Sequence, residues 1–340
     1  MDSFRIDGDA SLVQKIYDSF AMKPTDEVER RLGEIDEASS ALNRLLDDGD
    51  GDIGDCLQDL NKEFMARFAY HSTALEGSTL TLPETELAIE GEFFPSEEKQ
   101  LQDLYAVKGS YEAYELAMRE IAEGRRIDEE FVKDVHGLTA LDIQPRNRGT
   151  YRVTQVYITN SLTVPASNES IRPLMKDLFA AFERSRQHPL VKFAGFHALF
   201  ENIHPFRDAN GRCGRIVLNA MLVDAGYAPI AIKHESKRRY AEALQEWQVH
   251  GNPEPLLGMV CDCVEKETQA RREALEATRR LKPVVERERK EREHRQDRRP
   301  GENEAERIRG LMNRGYVPEH VDFGSTPRKI KEGIGRIRRS

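Results

Sequence analysis

His204-Pro205-Phe206-Arg207-Asp208-Ala209-Asn210-Gly211-Arg212-Cys213-Gly214-Arg215 brings one imidazole, one carboxylate, one Asn and two spaced Arg into twelve residues. Ile216, Val217, Leu218, Ala220, Met221 and Leu222 follow at once, so a buried helix starts inside the stretch. The N–H groups that open such a helix have no intrahelical acceptor, and with Arg nearby they form an anion site for which phosphate is the natural occupant. Arg212 and Arg215 stand at i, i+3, a spacing that predicts both guanidiniums on one face, forked onto phosphate oxygens. Asp208 is a hard oxygen ligand suited to Mg2+ on those phosphates, and His204 is a candidate general base. Together they imply a nucleotide-dependent transferase.

Outward from this stretch the chain reads as mainly helical. Apolar periodicity predicts helices near 26–47, 54–69 (ending near His71), 84–91, 97–121, 128–140, 169–187, 189–203, 211–225, 236–249 and 254–280. Asp48-Gly49-Asp50-Gly51-Asp52 reads as a solvated breaker, since no Glu closes it as a calcium loop would require. One segment departs from the helical pattern. Gly149 to Ile158 alternates β-branched and aromatic residues with period two, and Pro165 follows, which predicts a short exposed hairpin over 149–161. Its open edge would suit an incoming extended peptide.

The charge is unevenly spread. Residues 279–340 hold 19 Lys and Arg against 11 Asp and Glu, which leaves the first 278 residues at −17 within a net charge of −9. An acidic body is a poor nucleic-acid binder, so any such role falls to the basic tail. Glu and Arg alternate through 286–299 as in a self-paired exposed helix, and Arg328 to Arg339 carries no aromatic for base stacking. Cys56, Cys213, Cys261 and Cys263 form neither a Cys-x-x-Cys pair nor a disulfide framework. The chain opens without an apolar leader and has no run of 18 apolar residues, so the expectation is a cytoplasmic protein without a membrane span.

The 204–215 stretch resembles the Fic family pattern H-P-F-x-[DE]-G-N-G-R-x-x-R and departs from it at one fixed position, where Ala209 replaces Gly. Residues 98–265 look like a whole Fic core, with His197 seven residues before His204 and Tyr240 to Leu244 in a later helix. Ser72-Thr73-Ala74-Leu75-Glu76-Gly77 is similar to the family's inhibitory [ST]-x-x-x-E-[GN], placed as in the subclass with an N-terminal inhibitory helix. The resemblance implies a mainly α Fic helical core with a short β-hairpin flap. It also implies three regions: an inhibitory helical region over 1–97, a Fic domain over 98–281 and a charged tail over 282–340.

The chemistry so implied is AMP transfer from ATP, with Mg2+, to a Ser, Thr or Tyr hydroxyl of a target protein. His204 would take the hydroxyl proton and Asp208 would hold Mg2+. The backbone and side chains from Ala209 through Asn210, Gly211, Arg212 and Gly214 would cradle the phosphates, Arg215 would meet the γ-phosphate, and Glu76 would compete for Arg215. Thr150, Tyr151, Val153, Val156 and Ile158 would align the target segment. Doc-type kinases share Asp-Ala-Asn but carry Lys at the position of Gly211 and lack the second Arg, so Gly211 and Arg215 favour AMP transfer over phosphorylation. AMP removal from modified targets uses the same residues and stays open, as does a nucleotide-sensing binding protein; a homodimer is compatible with the sequence.

Some residues carry plainer readings. His197, His204 and Asp208 could be taken as a metal set, but no third nitrogen or thiolate has zinc spacing, which favours a packed His197. Cys213 reads as a small filler. Tyr240 is either a core aromatic or a wall of the adenine pocket.

Overall fold

The computed structural model describes residues 2–46, 51–158 and 162–297. Eleven α-helices run through them: α1 (Asp2–Ser19), α2 (Asp26–Leu46), α3 (Gly51–Leu75), α4 (Leu82–Glu90), α5 (Glu98–Ala122), α6 (Glu129–Thr139), α7 (Ile171–Arg184), α8 (Pro189–Ile203), α9 (Asn210–Asp224), α10 (Lys237–His250) and α11 (Glu254–Asp297). Single 3₁₀ turns occupy Pro145–Asn147 and His234–Ser236. Of the described residues, those through Lys282 form one compact unit and those from Pro283 a second. No described helix is long and apolar enough to cross a membrane. The basic end of the tail lies outside the described residues.

The core forms around α8 and α9, whose side chains are buried on nearly every face. A helix that is apolar all round must be enclosed by others. Here α7 and α10 cover α8, while α3, α5 and α6 cover α9. Pro189 opens α8 at a position where its missing N–H costs nothing, and His188 Nδ1 accepts from Leu190 N–H (3.2 Å). Phe196, Phe200 and Phe206 are fully buried, and each such ring stabilises the fold by about 1.5–3 kcal/mol. At Gly195 a Cβ would lie 3.1 Å from the Trp247 ring, so glycine there lets α10 seat its indole on α8. That indole donates to Ser19 Oγ (3.1 Å), tying α10 to the end of α1.

Three elements differ from the sequence reading. Helix α1 is present where none was predicted, held by buried Leu12 and Ile16. Helix α3 continues past His71 to Leu75, with Ser72, Thr73 and Leu75 buried and the Thr73 hydroxyl satisfied by Ala69 O (2.8 Å). Helix α11 runs through Pro283 to Asp297.

The hairpin expected over 149–161 shows no strand in its described part, residues 149–158. No strand occurs among the described residues, and residues 159–161 lie outside them. Arg152, 4% exposed, holds the start of this segment against the core. Its guanidinium donates to the carbonyls of His204 (2.8 Å), Thr154 (3.1 Å) and Ala166 (2.6 Å), and its N–H donates to Pro205 O (2.9 Å). The buried Arg152 thus ties this segment to the α8–α9 loop and to Ala166, and the Arg152 N–H is spent on Pro205 O and not on a neighbouring strand.

Candidate active site

The α8–α9 connection is short and both of its turns are left-handed. His204 closes α8 with φ 52° and ψ 61°, and Ala209 opens α9 with φ 59° and ψ 15°. Left-handed backbone is unfavourable for residues with a Cβ, so the loop must be held from outside. Asn210 holds it: its Oδ1 accepts from Phe206 N–H (2.8 Å) and its Nδ2 donates to Phe206 O (3.0 Å). His136 of α6 holds it again. Its Nδ1 accepts from Gly149 N–H (2.9 Å), so its Nε2–H donates to Asp208 O (3.1 Å), and its ring stacks on Phe206 at 3.7 Å. Burial lowers the His136 pKa to about 4, which keeps that tautomer neutral.

The loop delivers His204 to the wall of a cavity of about 660 Å³, which Glu76, Ile158, Glu201, Gly211, Arg215 and Tyr240 also line. His204 Nδ1 lies 3.2 Å from Glu201 O, and because a carbonyl only accepts, Nδ1 carries the proton and Nε2 keeps its lone pair. Burial lowers the His204 pKa despite the nearby Glu76 carboxylate, so the imidazole is a neutral base at neutral pH. The first backbone bond of α9 runs from Cys213 N–H to Ala209 O (3.0 Å), which leaves the amides of residues 210–212 without an intrahelical acceptor.

Arg215 is 3% exposed and points into the cavity, where its Nε donates to Ser72 Oγ (3.0 Å) and its Nη2 to Ser72 O (2.8 Å) and Glu76 Oε1 (2.7 Å). Burial alone would weaken both charges. Their mutual attraction outweighs it, so the Arg215 pKa is raised and the Glu76 pKa is lowered. Glu76 follows the last turn of α3 and its carboxylate packs on Gly211, where an added Cβ would overlap Glu76 Oε1. A carboxylate therefore occupies the N-terminal turn of α9, where an anion is stabilised.

Other predicted residues are placed differently. Arg212 does not share the cavity with Arg215; it forks onto Asp142 (3.0 and 2.9 Å) and donates to Thr139 O (3.2 Å). The i, i+3 spacing is kept, but the Asp142 carboxylate captures one of the two guanidiniums. The Asn210 side chain serves Phe206, not the cavity, and Gly214 faces α8, where a Cβ would overlap Glu201 and meet Phe200 at 3.0 Å. Asp208 is exposed at the loop, with Oδ1 accepting from Ala209 N–H (2.6 Å). His197 bonds through Nε2 to Tyr240 Oη (2.6 Å), so it packs and orients Tyr240, which is both buried and part of the cavity wall. Cys213 is a buried filler against Val132.

Of the expected target-aligning residues, Ile158 lines the cavity, Val153 and Thr150 are exposed, and Val156 is half-buried. Tyr151 turns inward, packed 5.3 Å from Phe206 beneath the Lys133 ammonium, and cannot face a target. Three residues that shape the site were not singled out from sequence: His136, Asp142 and Glu201. Glu201 is 7% exposed, its Oε1 has no hydrogen-bond partner, and burial raises its pKa to about 8. Its position three residues before His204, the single carboxylate of a buried helix, is the one signal that could have flagged it.

Residues 126–222, which contain this loop and both helices beside it, match the family model described as Fic/DOC family. The chain carries a Fic domain. The chain is 30% identical over 221 residues to the protein adenylyltransferase Fic of Nematostella vectensis, across 62% of this chain and 49% of that one. The protein of the same name from Drosophila grimshawi is 28% identical over 248 residues, across 70% of this chain and 48% of the relative. The chain thus spans about half the length of these relatives. In structure, it is similar to a Fic domain containing signaling protein from Bacteroides thetaiotaomicron, with TM-score 0.63 at 22% identity over 73% of this chain and 97% of that one. Fic-1 from C. elegans matches with TM-score 0.62 at 21% identity over 74% of this chain and 73% of its own. These likenesses establish the fold of the Fic domain.

Proposed function

We propose that the chain is a protein adenylyltransferase that moves AMP from ATP to a Ser, Thr or Tyr hydroxyl of a target protein, restrained by Glu76. The observation that carries this reading is the convergence of His204, the open first turn of α9 and Arg215 on one cavity. The curated relatives bearing the name protein adenylyltransferase Fic support it.

In the proposed reaction the target hydroxyl oxygen bonds to the α-phosphorus of ATP, the bond from that phosphorus to the bridging oxygen breaks, and pyrophosphate leaves. The hydroxyl proton passes to His204 Nε2, the nitrogen left unprotonated by the Nδ1 contact with Glu201 O. Charge builds on the phosphate oxygens, and the amides of the first turn of α9 are pre-aimed there at no reorganisation cost. Arg215, once free of Glu76, neutralises the far end of the triphosphate. Ile158 lines the cavity, where an extended target segment would pass.

Asp208 suits Mg2+, because it is an exposed hard carboxylate whose neighbouring cation, Arg212, stands 4.0 Å away and is committed to Asp142. Bound there with the phosphates, the ion would supply charge neutralisation. Glu76 opposes all this by holding Arg215 at 2.7 Å and by placing negative charge on Gly211, so ATP must displace or distort the pair to seat its phosphates.

Labelled ATP tests the reading on three proteins: wild type, Glu76→Gly and Glu76→Gly with His204→Ala. Transfer of α-label to protein should rise in Glu76→Gly above wild type and vanish when His204 is also replaced. Transfer of γ-label, or no transfer from either label in Glu76→Gly, would overturn it.

A further inference from the structure

A second cluster involves His71, the residue before the Ser72 that bonds Arg215. His71 of α3 and His234 of the 3₁₀ turn bring their Nδ1 atoms to 3.3 Å, and Glu235 Oε2 stands 3.4 Å from the same His234 nitrogen. All three donor atoms lie within 4.8 Å of one another. Ions of the zinc type bind imidazole and carboxylate at about 2.0–2.2 Å, which in a tetrahedral shell separates neighbouring donors by about 3.3–3.5 Å. Both separations from His234 already fall in that range. Two imidazoles and one carboxylate also form a donor set that zinc-type ions accept, with a fourth position for water.

The surroundings fit a built site. The Tyr70 ring meets His234 edge-on at 5.4 Å and lies 4.9 Å from the His71 ring, so the two imidazoles are braced. His71 is 8% exposed, whereas Glu235 is open to solvent, which gives an ion a fixed inner ligand and an accessible outer one.

We infer that His71, His234 and Glu235 form a binding site for a zinc-type transition-metal ion, which clamps the end of α3 onto the 234–236 turn. Glu76 leaves α3 five residues beyond His71. An ion here would therefore stiffen the segment that presents Glu76 to Arg215, a consequence that rests on the inhibitory reading of Glu76, whereas metal uptake does not.

The experiment is Zn2+ titration of the metal-stripped full chain, free of any affinity tag, near neutral pH, with amide exchange followed over residues 70–77. One Zn2+ per chain should bind, and exchange at Thr73 to Gly77 should slow when it does. His71→Asn and His234→Asn should each weaken binding about tenfold or more. Should His71→Asn fold poorly, His234→Asn and Glu235→Gln, on the turn, carry the same expectation. No uptake by the wild type would identify the pair as a plain imidazole–imidazole hydrogen bond and overturn the site. Uptake that survives His234→Asn would assign the ion to other ligands, the free cysteines among them, and overturn it equally. Slowed exchange only in the wild type supports the clamp; unchanged exchange with uptake intact would overturn it.

Discussion

The Cα of Gly211 and the carboxylate of Glu76 lie so close that no side chain fits between them. A Cβ at residue 211 would also come 2.9 Å from Arg215 Nη1, so this glycine of the motif sits directly over the ion pair between Arg215 and Glu76. In a helix start free of such a neighbour, Ala is preferred to Gly. Gly211→Ala should therefore lower the stability of the wild type by about 1–3 kcal/mol through overpacking. In a Glu76→Gly background the same change should cost less than half as much. The four-protein denaturation cycle reads this coupling directly, and equal costs in both backgrounds would show that Glu76 does not fill that space.

Ala209 occupies left-handed backbone at φ 59°, the one fixed motif position where the sequence departs from glycine. The strain is local, since the two Asn210 bonds to Phe206 hold the turn whichever residue precedes them. Ala209→Gly should raise stability by about 1 kcal/mol, with the unfolded chain's extra freedom taking part of the gain. Urea unfolding of the two proteins measures it; a destabilised Ala209→Gly would mean that the alanine methyl contributes more by packing than it costs in strain.

The bond that takes Arg212 from the cavity makes a stronger demand. Arg212 is 3% exposed and Asp142 supplies both acceptors of its fork. Removing one partner of a buried pair strands the other charge, so Asp142→Ala should cost about 3–5 kcal/mol. Lysine cannot reproduce the fork, so Arg212→Lys should also destabilise. Chemical denaturation checks both. A loss below about 1 kcal/mol in Asp142→Ala would show that Thr139 O and solvent suffice for Arg212.

The helices α8 and α9 and the loop between them were legible because buried helices announce themselves in apolar runs, and because a base, a carboxylate and an Arg pair rarely share twelve residues. What the side chains of that loop bond to was not. Asn210 in an anion-binding pattern reads as a ligand, yet its amide matches the two backbone groups of Phe206 four residues earlier. Arg212 and Arg215 look equivalent along the chain, but their partners come from 70 and 139 residues away. The described part of the hairpin segment is similar: β-branched residues between 150 and 158 suggest strands, while Arg152 turned into the core ties that backbone to the α8–α9 loop and to Ala166. Long-range capture of a polar side chain has no period: the Glu76 partner of Arg215 was legible only through the resemblance at 72–77, and the Asp142 partner of Arg212 not at all.

Glu201 gives the site a measurable pH signature. Its carboxyl is buried against Gly214 beside Arg215 and Glu76, and burial raises its pKa from 4.5 to about 8. Between those values the folded chain holds a proton that the unfolded chain has released, so stability falls as pH rises. The contribution is complete below pH 4.5 and lost as pH climbs through about 8. Glu201→Gln keeps the shape and removes the titration. The stability of Glu201→Gln relative to wild type should therefore grow steadily from pH 5 to pH 9, by unfolding measured in matched buffers. A difference that stays constant across that range would mean that Arg215 already holds Glu201 ionised in the fold, and that the acid beside His204 carries charge throughout.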